Sequence, residues 1–313
     1  MSKKKTKKKQ KLGTLKKEKV NISESLSAAI EYHKQGQIPF AIEIYRKILA
    51  VDKNNHVTLN LLGLGLNGLG IVEKSISCLS KAVSISPQNA KYHYDLGVVL
   101  QFSGQDEKAI RHYQLSLNLS PGNAAAWENL GVCFFDCCRN SDAVAAFERA
   151  LNINPISILA LTNLATLRRW QGQHEHSLEL IDRAIDVDPT YIPARMKKAE
   201  TLLSLGNFKG GWYEYGWRFL GSGRQGQDTV RYVPVPKWDG GLLKGKTILV
   251  HNEQGIGDEV MFASCLPDLL RQKVDCKVIC DQRLVSAFRR VFPETEVLPD
   301  NRKGWGAVGD RLM

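Results

Sequence analysis

The residues best suited to chemistry lie in a glycine-rich turn towards the end of the chain. The run Glu253-Gln-Gly-Ile-Gly-Asp258 follows Thr247-Ile-Leu-Val-His251, a short β-branched stretch that predicts a buried strand. Asp258 ends this run, and a carboxylate at the carboxyl edge of a strand can face a cleft and accept a proton. Gly255 and Gly257 are the binding candidates of the turn. The alternative is that Asp258 caps the helix that follows.

The same turn is a poor match to a dinucleotide-binding fingerprint. That fingerprint needs a third glycine at position 260, which is Val260, although Asp281 ends the next predicted strand where a ribose-binding acid belongs. We therefore predict no cofactor.

Three cysteines, Cys133, Cys137 and Cys138, could suggest a metal site. Cys133 and Cys137 share a helix face, but no histidine or fourth thiol lies at the spacing of a zinc site. We predict small buried apolar side chains and no metal.

The elements that hold the glycine-rich turn alternate between strand and helix. Predicted strands at 247–251, 277–280 and 296–298 are separated by predicted helices at 259–272, kinked by Pro267, and 284–292. This βαβαβ order predicts a small, incomplete α/β segment with a parallel, Rossmann-like sheet.

Most of the chain instead follows a period of 34 residues. We call a set of positions that lie 34 residues apart a column. Small residues, turn glycines, large apolar residues and prolines each occupy one column. The columns include Gly63, Gly97, Gly131, Ala165 and Ala199; Gly36, Gly70, Gly104, Gly172 and Gly206, with Cys138 in the gap; Tyr45, Leu79, Tyr113, Phe147 and Ile181; and Pro87, Pro121, Pro155 and Pro189.

These columns indicate pairs of antiparallel helices. A small residue lets two helices cross closely, the large residue fills the adjacent gap, glycine makes the turn and proline follows the second helix. The pattern resembles the tetratricopeptide repeat over residues 22 to about 219, with units starting near 22, 56, 90, 124, 158 and 192. The predicted fold class is therefore mainly α, a solenoid of about six helix pairs followed by the α/β segment.

The resemblance implies a concave groove that is lined by the first helix of each pair and that binds a peptide or a partner's helix. Asp95, Asn129 and Asn163 are the predicted groove residues, and they resemble the asparagine ladder of O-GlcNAc transferases. Leu61 and Lys197 interrupt this ladder at either end. The alternative is a solvated polar stripe that keeps the solenoid soluble.

The segment after the repeats resembles a heptosyltransferase-like glycosyltransferase of the GT-B type. The resemblance rests on Gly257-Asp258, which is followed eight residues later by Leu266-Pro267 and then by Leu269-Leu270. The chain also resembles bacterial proteins that fuse tetratricopeptide repeats to such a domain, through Trp217-Arg218, Trp238-Asp-Gly240, Gly245-Lys-Thr247 and the glycine-rich turn. In that family the aspartate of the Gly-Asp pair is the general base, which implies the same role for Asp258. The second, donor-binding domain of such enzymes has no counterpart here, so we expect the chain alone to be inactive.

The net charge of +11 is concentrated at the start of the chain. Residues 1–20 hold ten lysines and one glutamate, a net charge of +9, and we predict a disordered tail there. The segment Lys3 to Lys19 could contact polyanions non-specifically or merely keep the protein soluble. The seven cysteines lack paired spacing and no apolar run could span a bilayer, which favours a reduced cytoplasmic location.

Together the patterns predict a tail (1–20), a solenoid (21–219), a linker (220–245) and a partial Rossmann-like segment (246–313). The leading hypothesis is a protein-binding scaffold. One alternative is a glycosyltransferase whose donor site comes from another chain or from a homo-oligomer. Another is an adaptor for RNA or the ribosome that acts through the tail.

Overall fold

A computed structural model describes residues 21–219, 238, 241–243, 245–251 and 255–300. They belong to two compact units, one ending at Tyr215 and the other beginning at Gly216. The predicted lysine tail and most of the predicted linker lie outside the described residues, as do residues 252–254, which include the first two positions of the glycine-rich turn, and everything after 300. The proposed polyanion contact therefore stays a prediction.

The first unit consists of helix pairs whose first helices begin at the residues that the 34-residue period predicts. We call the odd-numbered member of each pair the A helix and the even-numbered member the B helix. The helices are α1 (Ile22–Lys34), α2 (Ile38–Val51), α3 (His56–Gly68), α4 (Val72–Ile85), α5 (Ala90–Phe102), α6 (Asp106–Leu119), α7 (Ala124–Asp136), α8 (Asn140–Ile153), α9 (Ile158–Trp170), α10 (His174–Val187), α11 (Ile192–Ser204) and α12 (Phe208–Tyr215). The predicted mainly helical solenoid is confirmed.

Side-chain caps and left-handed turns delimit these helices. The first five A helices begin after a residue whose side-chain oxygen accepts a backbone N–H of the first turn, namely Asn21, Asn55, Asn89, Asn123 and Ser157. The turn between A and B carries a positive φ, for example +71° at Gly104, and Cys138 adopts +59° at the position where the other units have glycine. The break in the glycine column therefore leaves the turn conformation unchanged.

The A and B helices of a pair cross where the small-residue column predicts. A Cβ added to Gly131 would lie 2.6 Å from Cε1 of Phe147, and one added to Gly97 would lie 2.8 Å from Cε1 of Tyr113. Both aromatic side chains are fully buried. Glycine is required at these two crossings because any side chain would overlap the ring.

Each proline of the predicted column also contributes its carbonyl oxygen to the packing. The carbonyl accepts a side-chain N–H from a later helix, which satisfies a polar group at the junction between repeats. The four bonds are His93 Nε2 to Pro87 (3.0 Å), Trp127 Nε1 to Pro121 (3.0 Å), Arg183 Nη2 to Pro155 (3.0 Å) and Arg195 Nε to Pro189 (3.2 Å).

The second unit contains a three-stranded parallel sheet with sequential order β1-β2-β3. Its elements are β1 (Thr247–His251), α13 (Ile256–Phe262), α14 (Leu266–Leu270), β2 (Asp275–Cys280), α15 (Val285–Val291) and β3 (Glu296–Pro299). Alternate strand residues, such as Cys276, Val278 and Val297, pack with Phe288 and Phe292 in one core. The predicted parallel pairing is confirmed, whereas the Rossmann-like assignment stays a prediction.

One predicted helix of this unit differs in the structure. The single kinked helix over 259–272 is instead two helices, α13 and α14, joined by a 3-10 turn over Ala263–Cys265. Pro267 lies in the first turn of α14, where its missing N–H costs no intrahelical hydrogen bond. Proline therefore starts a helix here rather than bending one.

Candidate functional site

Side chains of neighbouring A helices contact one another along one face of the first unit. These contacts join the A helices of successive repeats, so the contacting side chains share one surface. We call this surface the A-helix face. The contacts pair Asn60 with Asp95, Tyr94 with Asn129, Phe135 with Trp170, Thr166 with Lys197, and Arg169 with Glu200.

Asp95 lies on the A-helix face but its carboxylate is already engaged. The residue is 6% exposed, and Oδ2 accepts hydrogen bonds from Asn60 Nδ2 at 2.7 Å and from Lys91 Nζ at 2.6 Å. Lys91 is mostly exposed, so the ion pair sits at the edge of the surface. The amide oxygen of Asn60 is buried and has no hydrogen-bond partner among the described residues.

Asn129 and Asn163 occupy the next two steps of the predicted ladder, and both are half-buried. The Asn129 amide donates to the Tyr94 hydroxyl at 3.4 Å. Burial raises the pKa of Tyr94, which keeps its hydroxyl protonated. The Asn163 amide forms no side-chain hydrogen bond within the described part of the chain. Asn163 therefore keeps both its donors and its acceptor for a ligand, whereas Asn129 keeps its acceptor.

Lys197 interrupts the ladder as the sequence predicts, and it brings a cation to the A-helix face. Its Nζ donates to Thr166 Oγ1 at 2.6 Å. Burial lowers the pKa of Lys197, and the nearby Arg169 acts in the same direction while Glu200 opposes it. Sequence analysis missed Asn60 and Tyr94, although each lies one residue before a ladder position, in a column that could have been examined in the same way.

The three clustered cysteines have different environments. Cys133 is buried, and burial raises its pKa to about 12, so the thiol stays protonated. Cys137 is half-buried. The prediction of a buried side chain is wrong for Cys138, which is exposed because it occupies the left-handed turn. No group of three histidine, cysteine or acidic side chains suited to a metal ion occurs among the residues that the structure describes.

The described part of the glycine-rich turn forms the start of α13. Gly255 is the N-cap without a side-chain bond, Gly257 is the second residue of the helix, and Asp258 is the third and half-buried. The alternative role of Asp258 as the cap is therefore wrong. Sequence analysis missed Glu259, whose Oε2 accepts the backbone N–H of Asp281 at 2.8 Å and joins α13 to the end of β2.

Within the described residues, the helices are too short or too polar for a membrane span.

Comparisons with known proteins agree with the helix-pair architecture. Residues 90–123 match the tetratricopeptide repeat family. The chain is 38% identical over 104 residues to protein FlbA of Caulobacter vibrioides, a match that takes in 32% of this chain and only 17% of the length of FlbA.

Two solved structures share the fold at low sequence identity. One is that of pilF from Pseudomonas aeruginosa, with a TM-score of 0.58, 15% identity and coverage of 66% of this chain and 95% of that one. The other is PilW, described as a type IV pilus biogenesis factor, with a TM-score of 0.58, 16% identity and coverage of 66% and 97%. The glycosyltransferase-like assignment gains no support from these relatives and stays a prediction. The family match thus identifies a tetratricopeptide repeat at residues 90–123, and the other helix pairs of the first unit follow the same 34-residue period.

Proposed function

We propose that the protein is a scaffold that binds an extended peptide or a partner's helix on the A-helix face. The observation that carries this proposal is the register of Asp95, Asn129 and Asn163. They lie 34 residues apart on α5, α7 and α9, so they present polar groups at regular steps along one surface. Polar groups at a regular spacing suit an extended peptide, because the N–H and C=O groups of its backbone also recur at a regular spacing.

The chemistry of these groups supports backbone recognition. An asparagine amide offers donors and an acceptor together, which matches the N–H and C=O groups of a peptide. Asn60 and Lys91 hold Asp95 in one position, so it loses little side-chain entropy when a ligand binds. Trp170, 57% exposed and stacked on Phe135 at 5.2 Å between ring centroids, adds an apolar surface for a ligand side chain.

A binding measurement with selected peptides tests the proposal. Peptides are selected from a random display library on the full chain, and their affinity is measured by fluorescence anisotropy. Replacing two amides that each contribute about 0.5–1.5 kcal/mol should weaken binding by roughly 10-fold or more, so we expect this loss in Asn129→Ala/Asn163→Ala. The matched control Asn152→Ala, on the exposed side of α8, should retain full affinity. Equal affinity of the double variant and the control contradicts the proposal.

The parallel sheet of the second unit favours a second, separate hypothesis. The sheet has the β1-β2-β3 order of a half-sheet that binds ligands beyond its carboxyl edge, and Asp258 lies in the first helical turn after β1. If this unit handles a nucleotide-sugar, Asp258 is its base. Native mass spectrometry of the full chain with nucleotide-sugars should then show saturable binding, and acceptor transfer should fall in Asp258→Asn. Absence of any saturable binding rules this hypothesis out and leaves the scaffold proposal untouched.

A further inference from the structure

Most charged side chains of the A helices α5, α7, α9 and α11 are neutralised by ion pairs. The pairs are Lys91 with Asp95, Arg168 with Glu148, Arg169 with Glu200, Arg195 with Glu214, and Lys198 with Asp182. A neutralised pair has little preference for the charge of a ligand. The charges that remain without a partner therefore decide which ligands the A-helix face prefers.

Glu128 on α7 is one of these remaining charges. It is half-buried, and its carboxylate forms no hydrogen bond or ion pair with the residues that the structure describes. Tyr94, one period earlier, meets Asn129 on the next A helix, a step of 35 residues. The same step leads from Glu128 to Asn163 on α9. Glu128 therefore adds a negative charge to the row of amides formed by Asn129 and Asn163.

Asp136, the last residue of α7, has the same sign of charge. It is exposed and has no ion pair within the described part of the chain. Partial burial and, secondarily, the charge of Asp106 raise the pKa of Asp136, so the charged group that acts on it is another acid. Helix α7 is therefore the acidic part of the A-helix face.

Lys197 on α11 is a cation that has no carboxylate partner among the described residues. Its Nζ donates to Thr166 Oγ1, and the Thr166 hydroxyl donates to the Thr162 carbonyl, so the ammonium group is held in one position. Glu200 lies nearby, but its carboxylate is paired with Arg169. A partly buried cation without an anion is unfavourable, and a carboxylate of a ligand would offset this.

We propose that the A-helix face binds an extended peptide that carries a lysine or arginine beside Glu128 and an aspartate or glutamate beside Lys197. This inference rests on the proposed function and names the class of peptide. Side chains of neighbouring A helices touch, so one step between these helices is about 8–10 Å and the distance from α7 to α11 is about 16–20 Å. An extended chain rises about 3.3 Å per residue, so the two charges of the peptide lie about five or six residues apart.

Selection of peptides tests this inference. A random display library is selected on the full chain, on Glu128→Gln and on Lys197→Met, and the recovered sequences are compared. On the natural sequence we expect a basic and an acidic residue to recur about five or six residues apart. Glu128→Gln should remove only the preference for the basic residue, and Lys197→Met only the preference for the acidic residue. Recovered peptides without this pair of charges overturn the inference.

Fluorescence anisotropy with one recovered peptide measures the two contacts separately. Replacing its basic residue by glutamine should weaken binding by roughly two- to five-fold, as expected for a partly exposed ion pair, and should have no effect in Glu128→Gln. Lys197→Arg keeps the cation and should retain the acidic preference, which tests the site even if Lys197→Met does not fold. The matched controls Glu179→Gln and Lys74→Met, exposed on B helices, should behave as the natural sequence does. Equal preferences in Glu128→Gln and Glu179→Gln contradict the inference.

The scaffold proposal and this inference fail in different ways. Recovered peptides can lack the charged pair and still bind Asn129→Ala/Asn163→Ala more weakly than Asn152→Ala. The scaffold proposal then stands and this inference is wrong. If no peptide is recovered, or if the double variant binds as well as Asn152→Ala, the scaffold proposal fails and this inference fails with it.

Discussion

The two units use small residues in opposite ways. In the helix pairs Gly131 is a packing residue, because a Cβ there would lie within 3.0 Å of the buried Phe147 ring. In the sheet unit Gly257 lies in a helix with no described heavy atom within 4 Å of an added Cβ. A recurrent glycine can thus be required because a neighbouring side chain fills the space, whereas the glycine at position 257 of α13 has room for a Cβ.

The largest expected effect is at the helix crossing of the fourth repeat. Gly131→Ala should destabilise the first unit by about 1–3 kcal/mol, because overpacking against a fully buried ring displaces it. Hydrogen exchange of α7 and α8 measures this loss. The matched change Gly257→Ala should stabilise α13 by about 0.5–1 kcal/mol, since alanine is the better helix former. Similar effects of the two changes would contradict the contrast between the units.

A second substitution, at Phe147, should recover part of the stability that Gly131→Ala loses. The fifth repeat pairs Ala165 with Ile181 at the positions of Gly131 and Phe147. Gly131→Ala/Phe147→Ile copies that pair, and we expect it to recover at least half of the stability lost in Gly131→Ala. Urea unfolding of the two variants and of Phe147→Ile alone gives the coupling energy. Additive effects would show that the two positions do not interact.

Helix capping also differs between the units. Asn123 accepts the backbone N–H of Ala126 at 3.2 Å, so Asn123→Ala should cost about 1 kcal/mol. Gly255 caps α13 in an extended conformation without a side-chain acceptor. Gly255→Ser adds such an acceptor and should stabilise α13 by a few tenths of a kcal/mol. Hydrogen exchange at the first turns of α7 and α13 compares the two, and a loss of stability in Gly255→Ser would contradict this expectation.

The smallest effect concerns pH. His93 Nε2 must donate to the Pro87 carbonyl, so His93 Nδ1 accepts the N–H of His112 Nδ1 at 3.0 Å. Burial, and secondarily His93, lowers the pKa of His112 below its ordinary value of 6.5. Because the pKa of His112 is lower in the folded protein, the unfolded chain binds a proton at His112 more readily than the folded protein does. The contribution to stability is full above pH 6.5 and is lost as pH falls through the folded-state pKa.

The variant His112→Leu tests the pH effect, since Leu180 holds the same column position. Its free energy of unfolding should change less between pH 7 and pH 5 than that of the natural sequence. An equal or steeper dependence in the variant would assign the effect to other groups.

Sequence alone predicted most of the first unit because its constraints repeat. A single small residue does not indicate that two helices cross closely at that position. Gly63, Gly97 and Gly131 do indicate it, because they recur at a constant spacing. The same logic placed Asn129 and Asn163 on one face. It did not reveal that Asp95 is held by Asn60, because the direction in which a side chain turns depends on contacts between repeats.

The sheet unit was harder to predict because each of its patterns occurs once. β-branched runs located the strands, but Pro267 fits both a kink and a helix start, and only packing decides between them.

The bonded proline carbonyls have a consequence for the lifetime of the protein in a cell. Proteases cut where backbone can leave the fold and enter their active site as an extended strand. Polar junctions after a helix are natural sites for this, but Pro87, Pro121, Pro155 and Pro189 are each fastened to a later helix. Limited digestion should therefore leave these junctions intact, so that the repeats survive as one protected fragment.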